Sequence, residues 1–173
     1  MRVLLLSDTH GVLDARIAAL AADCALAVHA GDVGTAAVLD ALAARCPRVI
    51  AVRGNNDVAA KWQGAAAVLR TLQTEARVEL PGGVLAVVHG DALDARDRHA
   101  RLRRVYADAR AVLYGHSHRL CVDDAAAPWV LNAGAAGRAR TYGGPSCLLL
   151  HAEAKAWRVE IVRFATAPRG VPA

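Results

Sequence analysis

Apolar residues in this chain come in short runs rather than in long helical stripes. The runs VLLL (3–6), ALAVHA (25–30), VIAV (49–52), VLAVV (84–88) and AVLY (111–114) are each bounded by Gly, Pro or polar residues. Runs of this length between turn signals predict buried β-strands. In the first third they alternate with alanine- and leucine-rich segments. Strands are expected near 2–6, 24–29 and 48–52, and helices near 14–21 and 35–45, the second ending before Pro47. Strands joined by helices of this length imply right-handed crossovers and a parallel sheet. Residues 58–75, around Trp62, fit either helix or loop. RVEL (77–80), Pro81-Gly82-Gly83 and VLAVV then read as a β-hairpin, and 95–109 as an arginine-rich helix. Beyond Tyr114 the strands are short: 111–114, 119–123, 129–132, 146–151 and 156–163, the last two joined by a turn near Glu153–Lys155. The expected class is α/β: a two-sheet β-sandwich flanked by α-helices, parallel in its N-terminal half and mainly antiparallel in its C-terminal half. A single domain is expected over 1–164. Residues 165–173, with Pro168, Gly170 and Pro172, read as a flexible tail.

Each of the five runs ends in a cluster of polar residues: Ser7-Asp8-Thr9-His10, Gly31-Asp32, Arg53-Gly54-Asn55-Asn56-Asp57, His89-Gly90-Asp91 and Gly115-His116-Ser117-His118. In open α/β sheets, ligands bind beyond the carboxyl ends of the strands. The pattern therefore gathers Asp8, His10, Asp32, Asn55, His89, His116 and His118 at one rim. That much polarity cannot be buried together without a partner of opposite charge, and divalent metal supplies one. Carboxylate, amide and imidazole together argue against a closed structural zinc site, which favours Cys and His in four-coordination. Seven candidate donors exceed the needs of one tetrahedral ion and suit two ions sharing a carboxylate.

Composition narrows the picture. Aromatic residues make up 4% of the chain, so the core rests on Leu, Val and Ala. The net charge of +5 owes much to the Arg96–Arg110 segment, which reads as a solvated helix face or as attraction for an anionic substrate. Basic residues interleaved with aromatics are not found, so a nucleic-acid partner is not expected. Cys24, Cys46, Cys121 and Cys147 show no Cys-x-x-Cys spacing and read as buried small residues. No apolar stretch approaches the ~18 residues of a membrane span, and Met1-Arg2 leads directly into a strand. These features suggest a cytoplasmic protein with no membrane partner. A homodimer is compatible with a chain this small.

Singly, the motifs are weak, since an Asp after a strand is often a helix cap. As an ordered set of five they are specific. The order Asp8-x-His10, Gly31-Asp32, Gly54-Asn55-x-Asp57, His89-Gly90, Gly115-His116-x-His118 resembles the calcineurin-like metallophosphoesterase superfamily, and within it the branch of small bacterial and archaeal phosphodiesterases. The resemblance implies a sandwich fold and two divalent ions, Mn2+ first, with Ni2+, Fe2+, Zn2+ or Co2+ possible. Asp8, His10 and His118 would hold one ion, and Asn55, His89 and His116 the other, with Asp32 bridging. A metal-bridging hydroxide would attack a small phosphodiester in line, which gives Asp32, Asn55 and His89 catalytic roles through it. A phosphomonoesterase or nuclease on the same metal pair is the alternative chemistry. A non-catalytic scaffold, as in one subunit of the eukaryotic retromer, is the alternative class.

The chain departs from the family at three places. Asn56 stands where many members have a His able to protonate a leaving group. Asp91 replaces the last His of a His-Gly-His motif. Asn132-Ala133-Gly134-Ala135 replaces Asn-Pro-Gly-Ser. Arg53, Asn56, Arg138 and Arg140 are the candidate substrate contacts. His29 is expected to be a hydrogen-bonded core histidine, and His99 a solvated one. Asp57 and Asp91 each fit either the support of a ligand or the capping of a turn.

Overall fold

The structure, a computed structural model, describes residues 1–166. The segment of the expected tail from 167 onward lies outside the described residues. Among these residues, ten strands form two five-stranded sheets. The first has the order β10-β9-β1-β2-β3, with β1 (Arg2–Leu6), β2 (Leu26–His29), β3 (Val49–Ala51), β9 (Ser146–Ala152) and β10 (Trp157–Arg163). The second has the order β4-β5-β6-β8-β7, with β4 (Glu75–Leu80), β5 (Gly83–Val88), β6 (Ala111–Tyr114), β7 (Cys121–Asp123) and β8 (Trp129–Asn132). β1, β2 and β3 are parallel, as the helix-separated runs require. The later half contributes antiparallel pairs at β4–β5, β7–β8 and β9–β10. It also holds a parallel stretch, β5–β6–β8, because α4 and the β7 excursion return the chain in the same direction.

The uniform apolarity of the runs follows from burial on both faces. Val3 and Leu5 of β1 point between the sheets, where they join Val28, Leu85, Val87, Leu113, Leu131, Leu148 and Leu150 in the central core. Leu4 and Leu6 point outward and pack with Ile17 of α1 (Ala15–Leu20) and Leu42 of α2 (Ala36–Ala43). The outer face of the second sheet behaves likewise. Ala86, Val112 and Val130 lie under Leu102 and Tyr106, from α4 (Arg98–Val105) and the residue that follows it. The arginine-rich helix is thus real but shorter than its charge run, since only the part that covers this apolar face is helical.

The ambiguous segment 58–75 resolves into a short 3-10 turn at Ala59–Lys61 and α3 (Ala66–Thr71). Trp62 anchors it, buried among Val33, Val38 and Leu69. Among the described residues, no helix is long and apolar enough to cross a membrane.

Candidate metal centre

All five motifs emerge on one rim, beyond the carboxyl ends of β1, β2, β3, β5 and β6. The loops that carry them are sewn to one another through the main chain. The amide of Asp8 donates to Gly31 O, that of His10 to Asp32 O and that of Gly115 to His89 O. The glycines permit this closeness. A Cβ on Gly54 would collide with the backbone nitrogen and Oδ1 of Asp32. A Cβ on Gly115 would press on Ala30 O, Asp8 Oδ2 and His89 Nδ1.

The backbone is strained where the chemistry sits. Asp8, His10, Asp32, His116 and His118 all adopt positive φ, between 48° and 65°. Each such conformation costs about 1 kcal/mol or more for a residue with a Cβ. Strain concentrated at these positions is the mark of a functional site, because it aims side chains that a relaxed strand end would splay.

The side chains converge accordingly. Asp8, His10 and His118 place one ligand atom each within 4.8 Å of one another, and so do Asp8, Asp32 and His89. His118 Nε2 lies 3.4 Å from Asp8 Oδ1 and 3.1 Å from His10 Nε2. Asp32 turns one oxygen to each side: Oδ2 is 3.7 Å from His10 Nε2, and Oδ1 is 3.4 Å from His89 Nε2. Asn55 Oδ1 lies 3.0 Å from His89 Nε2 and 3.2 Å from His116 Nδ1, bringing the last two candidates to the second half of the cluster.

Two tautomers are set by the main chain. His89 Nδ1 lies 2.9 Å from Ala30 O, and His118 Nδ1 lies 3.2 Å from Ala139 O. Both nitrogens must donate there, so both Nε2 lone pairs face the cluster. Asp8 is fully buried, its Oδ1 accepts the His116 amide at 3.1 Å, and its Oδ2 has no hydrogen-bond partner among the described residues. An orphaned carboxylate oxygen beside inward-facing imidazole lone pairs is a donor set suited to cations.

Electrostatics agree. Burial pushes Asp8 up to about 7. Burial acts the same way on Asp32, but its contact with the His89 ring and the Asn56 donors overcome it and hold Asp32 well below the usual carboxylate range. Burial and then the nearby Arg140 push His118 down to about 4, and burial also lowers His10 and His116. Burial opposes the charged form of His89 too, yet its contact with Asp32 raises it overall. Three of the four histidines are thus held neutral near pH 7, the form in which an imidazole can bind a metal.

The expected substrate contacts take up different places. Arg53 lines an open cleft beside Asn55 with Glu75, Val88 and Asp91, and its Nε donates to Asp57 O. Arg138 is exposed. Arg140 reaches into the cluster, its Nη2 donating to His118 Nε2 at 3.1 Å. Asn56 is turned onto Asp32: its amide N–H and its Nδ2 both donate to the Asp32 carboxylate, at 2.8 Å each. It clamps Asp32, and its Oδ1 accepts from Lys61 Nζ at 3.4 Å. Sequence reasoning did not single out Lys61, and a lone lysine after an Asn-rich turn carries no signal.

Asp57 is a structural acceptor rather than a cap of the following segment. It takes N–H bonds from Val33 at 3.1 Å, Gly34 at 2.7 Å, Gly54 at 2.9 Å and Trp62 Nε1 at 3.3 Å, locking the Asp32 and Asn55 loops together. His29 is the expected core histidine, fully buried with Nε2 2.9 Å from Thr9 Oγ1. His99 is not simply solvated, since it bridges Asp123 Oδ2 at 2.9 Å and the Tyr114 hydroxyl at 3.1 Å.

Solved structures repeat this architecture at low identity. Vps29 from Entamoeba histolytica, complexed with Zn2+, gives a TM-score of 0.74 at 18% identity, covering 94% of this chain and 99% of its own. An archaeal phosphodiesterase gives 0.70 at 20% identity, covering 94% and 100%. A phosphoesterase from Streptococcus pneumoniae, so classed by prediction, gives 0.66 at 17% identity, covering 94% and 88%. At these identities the likeness establishes the fold. No curated protein shows a significant sequence match. The family profile that matches residues 1–155 spans every motif of the cluster and nearly all of both sheets: the chain belongs to the calcineurin-like phosphoesterase superfamily.

Proposed function

We propose that this protein is a phosphodiesterase that works with a pair of divalent ions, Mn2+ foremost, on a small phosphodiester. The observation that carries this reading is the Asp32 carboxylate, which offers one oxygen to the His10 side of the cluster and the other to the His89 side. Asp8, His10 and His118 would hold one ion. Asn55, His89 and His116 would hold the other. Ions in such a pair acidify a water near neutral pH and neutralise charge on the attacking and leaving oxygens. The chain's own residues do the rest. Asn56 fixes the rotation of Asp32, the Ala30 and Ala139 carbonyls fix the ring orientations of His89 and His118, and Lys61 and Arg140 add positive charge on the His10 side. Mixed oxygen and nitrogen donors favour Mn2+ over Mg2+. Free thiols at Cys24, Cys46 and Cys147, all buried, suit a reducing compartment and hence the cytoplasm.

The scaffold reading deserves an equal test, because a Vps29 relative complexed with Zn2+ shares the fold. Metal binding alone therefore does not separate the two readings, and turnover does. Protein reconstituted with Mn2+ should hydrolyse bis(p-nitrophenyl) phosphate, and a chelator should abolish the reaction. No turnover with any divalent ion would favour the scaffold. Preference for p-nitrophenyl phosphate would favour a phosphomonoesterase.

A further inference from the structure

On the Asn55 side the cluster adjoins a cleft of about 410 Å3, lined by Arg53, Asn55, Thr74, Glu75, Val88 and Asp91 among others. Asn55 belongs to both, since its Oδ1 also lies 3.0 Å from His89 Nε2. The fold assembles this cleft from strand ends: Glu75 opens β4 and stands opposite Val88, which closes β5. Its polar walls are held from behind. Glu75 Oε2 accepts from the Tyr106 hydroxyl at 2.8 Å, and burial pushes that hydroxyl up to about 12, so it stays protonated and donates. One oxygen of Glu75 is thus fixed, and the other is left for a ligand. Arg53 Nε donates to Asp57 O at 3.0 Å, which leaves its Nη donors for the cleft it lines. Thr74 and Asp91 are exposed.

A phosphodiester has two ester arms, and the lining of this cleft selects what one of them carries. Glu75 and Asp91 outnumber the single guanidinium of Arg53, whereas Arg140 and Lys61 add positive charge on the His10 side. A second anionic group in the cleft would face both carboxylates and be repelled. A cation would meet Arg53. A wholly apolar arm would strip water from three charged groups and give no hydrogen bond in return. Adjacent hydroxyls satisfy every wall: they donate to Glu75 and Asp91, accept from Arg53 and Thr74, and rest their carbons on Val88 and Ala92. We propose that the cleft is the specificity pocket for an uncharged arm bearing a vicinal diol, as in ribose or glycerol, with Glu75 and Asp91 as the acceptors. The volume suits a group of nucleoside size or smaller. This names the substrate class of the phosphodiesterase reading and rests on that reading for the diester itself.

The test compares p-nitrophenyl esters of uridine 5′-phosphate, 2′-deoxyuridine 5′-phosphate, glycerol 3-phosphate and phosphocholine, each turned over with Mn2+. The uridine ester should have a KM about tenfold below that of the deoxyuridine ester, the scale of one charge-assisted hydrogen bond. Glu75→Gln, which still accepts from Tyr106, and Asp91→Asn should each shrink that ratio toward one. The ratio is diagnostic, because a merely structural lesion would move both esters alike. A glycerol ester that matches the uridine ester marks the diol alone as the feature recognised, and a weaker one marks ribose. The second readout needs no turnover: the methyl ester of uridine 5′-phosphate is titrated into the protein in chelator, and the amide resonances of Thr74, Glu75 and Asp91 should shift, less so with the deoxyuridine ester and in Glu75→Gln. Equal KM values with and without the diol, or a preference for the phosphocholine ester, would overturn the pocket. Diol-dependent shifts without turnover of any ester would overturn the phosphodiesterase reading and leave the pocket standing. Turnover with neither a diol preference nor such shifts would do the reverse.

Discussion

Replacing Asp8 by Asn separates what this carboxylate does for folding from what it does for metal. Asp8 is fully buried and one of its oxygens has no partner among the described residues. Burial moves its pKa from 3.8 to about 7. The sign follows from linkage. Between these pH values the folded state holds a proton that the unfolded state has lost, so stability falls as pH rises from about 4 to 7 and is level above that. At about 1.36 kcal/mol per pH unit the interval is worth about 4 kcal/mol, an upper limit because local relaxation lets water in. Asn reproduces the protonated shape and still accepts the His116 amide, so it removes the penalty. In chelator-stripped protein at pH 8, Asp8→Asn should therefore be more stable than the parent. Half the limit would raise Tm by about 4–8 °C. At pH 4 the two should converge. With Mn2+ at about 100 times Kd, mass action adds about 2.7 kcal/mol to a protein that binds the ion, so the parent should overtake the variant. Thermal melts followed by circular dichroism at pH 4, 6 and 8, with chelator and with Mn2+, check all three points. A variant less stable at pH 8 without metal, or a difference independent of pH, would mean that the buried Asp8 charge does not destabilise the metal-free fold.

Asp57→Ala should leave four buried N–H donors unsatisfied and cost about 4 kcal/mol or more, read from urea unfolding, whereas Asp57→Asn, which keeps one acceptor oxygen, should cost less. Catalysis should depend steeply on the leaving group, because Asn56 is committed to Asp32 and donates no proton to the departing oxygen. General acid help is worth about 10²–10⁴-fold, so aryl diesters should outrun alkyl diesters by a comparable factor, and a flat plot of rate against leaving-group pKa would reveal an unrecognised donor.

The sandwich was legible because strand runs here are buried on both faces: the Leu4/Leu6 and Val3/Leu5 pairs of β1 each meet a separate core, so the apolar signal is continuous. The convergence of the candidate donors was legible because those residues follow the strand ends directly. What was not legible is held by geometry. The positive φ at Asp8, His10, Asp32, His116 and His118 leaves no trace in composition, since only glycine advertises that conformation. The four donors on Asp57 come from residues 33, 34, 54 and 62, and no local pattern reveals that they share one carboxylate. Asn56 read as a substrate contact by its place in the motif, but its Nδ2 turns toward Asp32. His99 read as solvated from its arginine-rich helix, yet the packing of α4 on β6 brings Tyr114 within 3.1 Å of it.

The proposed function requires a pair of ions sharing Asp32. Crystals grown with Mn2+ and measured by anomalous diffraction test it directly. Two peaks about 3.5–4 Å apart are expected. One should lie among Asp8, His10 and His118, the other among Asn55, His89 and His116, with an Asp32 oxygen on each. A single peak, or two peaks of which only one touches Asp32, would contradict the shared site.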